Sequence, residues 1–414
     1  MSKKIFSLAE KIKSLLINLA VSIAALFFCL ILCELAVRML VPQEIMVNHH
    51  RLFCQHDPLL GWKHIPNSAA VSKHKDYEVF ESFNSKGIRG PEYSYEKQRN
   101  EFRIFILGDS HAEGFTVEFH QLFSEVLKKG LNDRNKGGSR HYEVINSGVG
   151  GYSTDQELLF YEIEGKKYNS DLVILFMCDN DIPGNAMREV WRGGKPVFEI
   201  DGEKLELANV PVPETKKPRE MGRSSEAMRE WLYENSRLCR LMREKIRSIY
   251  FLYDLLIDLK LMEKPSERIP FYFQASKKVP DEKIRYAWQV TERLLKRLRE
   301  DATSAGADLL VFFVPPQYAI YKKLWNEKKM RFGISNNIWD PDQVGIELAN
   351  ICRRNKIDFV DPSDIFRKRA QNKERLYFFN DGHWTASGDQ LAGEILAEYI
   401  GAHYSETPKK TINN

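Results

Sequence analysis

Apolar positions gather into one long run near the start of the chain and five short runs spread over its later part. The long run, LLINLAVSIAALFFCLILC at 15–33, has no charged side chain. It approaches the roughly 20 residues that a helix needs to cross a bilayer. The short runs are FRIFIL (102–107), YEVINSG (142–148), DLVILFM (171–177), DLLVFFVPP (308–316) and IDFVD (357–361). Their near-continuous apolar character predicts strands buried on both faces. Helical spacing predicts helices over about 120–134, 155–167, 281–304, 341–355 and 385–400. Apolar strands alternating with helices specify a parallel sheet covered on both sides, an α/β domain with five strands.

The rhythm breaks between residues 183 and 280. PVFEIDGEKLEL (196–207) reads as a hairpin, a Pro/Lys/Glu-rich connector follows, and a long helix is expected over about 224–262. Within it, IRSIYFLYDLLIDLKLM is apolar but carries Asp254, Asp258 and Lys260, which exclude a membrane span and favour an amphipathic helix packed on its own domain. Residues 41–100, punctuated by DPLLGW and IPN, read as a stalk and an N-terminal subdomain of short strands. The expected organisation is a tail at 1–14, a transmembrane helix at 15–40, the stalk and subdomain, then a main domain at 101–405. The 183–280 segment is an insertion in that domain, and 406–414 is a flexible tail.

Charge and composition alter this picture at the N-terminus. Lys3, Lys4, Lys11 and Lys13 precede the long apolar run. The positive-inside rule then expects a single pass, with a cytoplasmic N-terminus and an extracytoplasmic main domain, periplasmic or at the cell surface. A cleaved signal peptide fits less well, because the apolar core is long and no A-x-A-like site follows. Leu32 before Cys33 argues against a lipoprotein. With 43% hydrophobic and 29% charged residues the chain has globular composition, and a net charge of +4 gives no ground for a nucleic-acid partner. The six cysteines form no CxxC pair or Cys/His cluster, which argues against structural zinc; a disulfide cannot be read from their spacing.

The candidate chemistry lies where the strands are expected to end, the edge at which such sheets bind ligands. FILGDSHAEGF places Asp109 and Ser110 after the first strand; NSGVGGYS places Gly148, Gly150 and Gly151 after the second. CDND places Asn180 and Asp181 after the third, and NDGHW places Asp381 and His383 after the fifth. Each block alone has a plain structural use: Asp109-Ser110 as a helix cap, the glycines as a tight turn, His383-Trp384 as a surface pair. Together they supply what acyl transfer needs. A serine hydroxyl attacks once a base takes its proton, a carboxylate fixes that base, and preorganised donors hold the oxyanion. The expected roles are Ser110 as nucleophile, His383 as base and Asp381 as its orienter. The donors would be the backbone N–H groups of Ser110 and Gly151 and the Asn180 amide, with Asp109 and Asp181 in support.

At these blocks the chain resembles the SGNH/GDSL hydrolase superfamily. GDS at 108–110 matches its first block, with His111 where many members have Leu. NSGVGGYS matches the second, with Gly151 at the oxyanion position. Cys178 stands where the third block, G-x-N-D, has Gly. The last block is D-x-H-W rather than D-x-x-H, like that of membrane-associated SGNH-like proteins of exopolysaccharide O-acetylation. The resemblance implies a flavodoxin-like three-layer α/β/α sandwich and ester chemistry without metal or organic cofactor. It also implies that Asp109 supports the nucleophile turn. The expected function is a membrane-anchored serine esterase acting on an acylated glycan, lipid or small ester. An O-acyltransferase of cell-envelope polysaccharide is the alternative, and a non-catalytic binding module the third reading.

Overall fold

A computed structural model describes residues 2–41, 49–190, 192–214, 231, 232, 235–248 and 269–404. The chain forms two compact units, Met1–Ile45 with Lys216–Lys264, and Met46–Thr215 with Pro265–Asn414.

In the first unit a single helix runs over Ser2–Leu40. Its Lys13–Leu40 portion, of mean hydropathy 2.8, is long and apolar enough to cross a membrane. Near its end, Glu34 accepts from the Ser236 hydroxyl at 2.8 Å and the Arg237 and Leu238 N–H groups at 3.0 and 2.9 Å. These N–H groups open the helix Arg237–Ser248 and have no partner within it. Ser236 also accepts from the Cys239 N–H at 3.0 Å, as an N-cap does. The helix expected over 224–262 is therefore interrupted at Ser236. The rest of it, including most of IRSIYFLYDLLIDLKLM, lies outside the described residues.

The second unit is built on five strands, β1 (Glu101–Leu107), β2 (His141–Asn146), β3 (Leu172–Met177), β4 (Asp308–Phe313) and β5 (Asp358–Val360). They lie in the order β5-β4-β3-β1-β2, every pair parallel. This is the flavodoxin-like order. Alternation along the strands sorts the apolar residues into two cores. Phe105, Leu107, Val173, Leu175 and Val311 meet the helices Thr154–Ile163, Glu282–Ser304 and Gln343–Arg354 on one face. Ile104, Ile106, Ile174, Phe176 and Phe312 meet Phe123–Arg134 and Ala386–His403 on the other. The three-layer α/β/α expectation holds.

Local chemistry accounts for the departures. The helix after β1 starts at Phe123 because Phe119–Gln121 forms a separate 3-10 turn. β4 stops at Phe313, two residues before the Pro315-Pro316 pair that cannot donate to a ladder. Helices at Lys322–Phe332 and Ser363–Gln371 were not expected; both are polar over most of their surface. The second places Asp381 and His383 a helix and a loop beyond β5, rather than directly at its end. Of the 183–280 segment, the hairpin Val197–Asp201/Lys204–Ala208 packs its buried Phe198 into the core. Phe273 sits among Tyr318, Trp325, Phe332 and Trp339.

Before β1 lie two hairpins, Cys54–Asp57/Gly61–His64 and Ala69–His74/Tyr77–Ser82. They bring side chains from residues 49–89 against the short helix Ser110–Glu113.

Candidate active site

β1 ends at Leu107, Gly108 and Asp109 follow, and the short helix Ser110–Glu113 begins. Its N-cap is Asp109, whose Oδ1 accepts from the His111 N–H at 2.9 Å. Capping therefore falls to Asp109, and the Ser110 hydroxyl is left to face His383, with Oγ 2.8 Å from Nε2. The other ring nitrogen, Nδ1, donates to Asp381 Oδ1. Asp381 also accepts from the His383 N–H at 3.3 Å. Burial opposes charge on Asp381, but the bonds and charge of His383 outweigh it and hold the carboxyl down at about 2. Asp381 is thus an anion beside the imidazole across the physiological range.

His111 packs its ring 4.7 Å from that of His383 and 5.2 Å from Trp384. Burial, with His383 adding to it, pushes His111 down to about 3, so it is a neutral ring. Phe115 meets the His383 ring edge-on at 4.7 Å. The imidazole is held between two uncharged rings.

Asp109 also ties the first block to the third. Its Oδ2 accepts from the Asn180 side-chain amide at 3.2 Å, and its Oδ1 faces Cys178 Sγ at 3.4 Å. Cys178 occupies the usual Gly position without strain on the turn: its N–H donates to Asp181 Oδ2 at 2.7 Å. Asp181 is fully buried, and burial together with the Asp109 charge raises its pKa well above the ordinary value. In the second block Gly148 packs so closely on the helix Ser110–Glu113 that a Cβ there would stand 2.3 Å from the Glu113 nitrogen. Gly151 has φ +80°, in the left-handed region. The stem of Arg192 crosses it, with Nε 2.5 Å from where a Cβ would stand.

Several further residues, among them Tyr77, Trp62, His49 and His64, reach the site from positions that no motif marks. The Tyr77 hydroxyl, at the tip of the second hairpin, donates to Asp381 Oδ2 at 3.2 Å. Beside it Asp76 accepts from the Asn380 amide at 3.1 Å. At the far end of the helix Ser110–Glu113, Glu113 accepts from the Gly150 N–H at 2.6 Å and lies 3.0 Å from His64 Nε2 and 3.3 Å from His49 Nε2. The Trp62 indole N–H donates to the Gly150 carbonyl at 3.1 Å. All are joined across long sequence separations, so only the one-turn spacing of Ser110 and Glu113 was visible beforehand.

Among the described residues, His49, Glu81 and Glu113 are the group with donor atoms for a metal ion, within 4.8 Å of one another. Positive charge is already at hand there: Arg89 Nε is 3.8 Å from Glu81, and Arg192 favours the Glu113 anion.

Residues 271–414 match the family model described as an SGNH hydrolase-like domain of the acetyltransferase AlgX. The match takes in Asp381 and His383 and leaves out Ser110. The resemblance to the SGNH hydrolases seen in the motifs is borne out. Solved structures similar to the chain include TesA, at 11% identity and TM-score 0.35, covering 72% of this chain and 96% of that one. The acetylxylan esterase Axe2 of Geobacillus stearothermophilus is also 11% identical, with TM-score 0.37 and coverage of 72% and 94%. LAE5, an alpha/beta hydrolase enzyme from the metagenome of Lake Arreo, Spain, is 14% identical, with TM-score 0.37 and coverage of 73% and 97%. No curated protein matches the chain.

Proposed function

We propose that the protein is a membrane-anchored serine esterase that cleaves acyl or acetyl esters through an acyl-enzyme on Ser110. The observation that carries this reading is the continuous relay from Ser110 Oγ through His383 to Asp381. His383 Nε2 takes the hydroxyl proton as Oγ attacks the ester carbonyl. Asp381 keeps the proton on Nδ1, leaves Nε2 free as the base and stabilises the imidazolium that forms. His383 returns the proton to the leaving alcohol, and water activated by the same nitrogen releases the acid. The oxyanion is held by the N–H groups of Ser110 and Gly151 and by the Asn180 amide, whose second hydrogen remains available once Asp109 has taken the first. Asp109 and Asp181 keep the first and third blocks in register.

A second reading is O-acetyl transfer, in which a polysaccharide hydroxyl rather than water accepts the acyl group. The match of residues 271–414 to an acetyltransferase domain favours it. The helix Lys13–Leu40 serves as the anchor, with the basic N-terminus cytoplasmic and the main domain on the far side of the membrane.

The test uses the full-length chain in detergent. Ser110→Ala is expected to abolish p-nitrophenyl acetate hydrolysis and labelling by a fluorophosphonate probe; unchanged turnover would overturn the assignment. Addition of an oligosaccharide acceptor separates the two readings. Faster turnover with O-acetylated sugar as product supports transfer, and an unchanged rate with acetate as product supports hydrolysis.

A further inference from the structure

The Gly150 carbonyl and the Gly151 N–H belong to one peptide unit. In a trans peptide these two groups point in opposite directions from a rigid plane. Whatever grips the Gly150 carbonyl therefore aims the Gly151 N–H. Trp62 grips it: its indole N–H donates to that oxygen at 3.1 Å. Trp62 is itself fixed, since it is 2% exposed, its carbonyl accepts from the Tyr152 hydroxyl at 2.6 Å, and its ring packs on that of Tyr152. The preceding peptide is held from the other side, where Glu113 accepts from the Gly150 N–H at 2.6 Å. Glu113 cannot swing away, because His64 and His49 flank its other oxygen and Arg89 clamps the carbonyls of Glu113 and Gly114 at 3.0 and 2.7 Å.

We infer that Trp62 is a positioning residue for the oxyanion hole, aiming the Gly151 N–H by holding the Gly150 carbonyl, with Glu113 as the opposing anchor. The inference rests on the proposed role of Gly151 as an oxyanion donor. It makes the first hairpin a working part of the active site. The indole bond does more than orient: a carbonyl that already accepts a hydrogen bond polarises its peptide and strengthens the N–H on the other side. This help is realised only when the oxyanion forms, so its loss falls on kcat and leaves KM nearly unchanged.

The experiment compares the full-length wild type with Trp62→Phe and with a variant carrying benzothienylalanine at position 62. The latter keeps the bicyclic shape and lacks the N–H donor. Loss of one oxyanion donor costs about 10²–10³-fold in known cases, and misaiming one is expected to cost roughly 10–100-fold in kcat. The expected result is this fall in kcat for p-nitrophenyl acetate with KM unchanged, and a melting temperature in the isosteric variant close to that of the wild type. A kcat in the isosteric variant equal to that of the wild type overturns the inference, as does a loss confined to KM. Failure of Trp62→Phe to fold leaves the decision to the isosteric variant. Ser110→Ala, measured alongside, keeps the two readings apart. If it hydrolyses the ester as the wild type does, the esterase assignment fails; if it is inactive while the position-62 variants are fully active, only the role of Trp62 fails.

Discussion

Two histidine–carboxylate contacts in this molecule use the same groups and are built for different ends. At the site, His383 gives Nδ1 to Asp381 and turns Nε2 to the Ser110 hydroxyl, with a ring side chain 22% exposed. Behind the helix Ser110–Glu113, His64 turns Nε2 to Glu113 and Nδ1 to the Gly87 carbonyl, with a side chain 2% exposed. What the far nitrogen faces decides the difference. A hydroxyl can surrender a proton to it, so the first pair can act as a relay. A backbone carbonyl has no proton to give, so the second pair is a brace. Glu113 is nevertheless a strong anion: burial opposes its charge, and His49 and His64 overcome that and hold its pKa well below the ordinary value.

The sharpest way to break this comparison is to remove the carboxylate charge at the relay. Asp381→Asn keeps the size of the side chain but no longer fixes the protonated nitrogen of His383. A loss of about 10⁴-fold in kcat is expected, with little change in melting temperature. Steady-state hydrolysis of p-nitrophenyl acetate and a thermal melt check both halves. At the brace the pattern should invert. His64→Ala strips a partner from a buried carboxylate, which in known cases costs about 3–5 kcal/mol of stability. Its signature is a lowered denaturation midpoint. A stable but inactive His64→Ala protein would mean that the buried pair takes part in the chemistry. Between these extremes lies Asn180→Ala, expected to lower kcat by about 10²–10³-fold with KM nearly constant.

The two contacts also differ in how far the sequence disclosed them. The relay was readable because its residues sit in short motif blocks, Ser110 directly after FRIFIL and Asp381 and His383 in NDGHW, although a helix and a loop separate the latter from β5. FRIFIL and DLVILFM are apolar apart from Arg103 and Asp171, and a strand buried on both faces has to be nearly so. The buried strands and their alternation with helices follow from such runs, whereas the flavodoxin-like arrangement was implied by the resemblance. The brace was not readable, because His49, His64 and Glu81 lie on short segments whose pairing depends on the finished fold. Tyr77 reaches Asp381 across a sequence separation of 304 residues, and no local pattern marks such a contact. Helices Lys322–Phe332 and Ser363–Gln371 escaped notice for a related reason. Each buries only two side chains, so the apolar stripe that marks a helix is nearly missing.

A third carboxylate carries the comparison to its limit, because it has no imidazole among the groups that act on it. Asp389, 1% exposed, accepts from the Phe123 N–H at 3.1 Å and so caps the helix Phe123–Arg134. Burial pushes its pKa up to about 8, against the pull of that N–H and of the more distant Arg89. An aspartate in the unfolded chain titrates near 3.9. Between that pH and about 8 the folded protein therefore holds one proton more than the unfolded chain at this position. Its contribution to stability is complete below the unfolded value and is lost as pH rises through the window. The slope is at most about 1.4 kcal/mol per pH unit for a single proton. Asp389→Asn keeps an acceptor for Phe123 and removes the titration. Denaturation midpoints at pH 5 and pH 8 should fall further apart in the wild type than in the variant. Asp381, held low by His383, gives the opposite sign, losing its contribution only as pH falls toward about 2. Equal pH dependence in wild type and Asp389→Asn would mean that Asp389 is ionised in the fold, and that burial without an imidazole partner does not suffice to hold its proton.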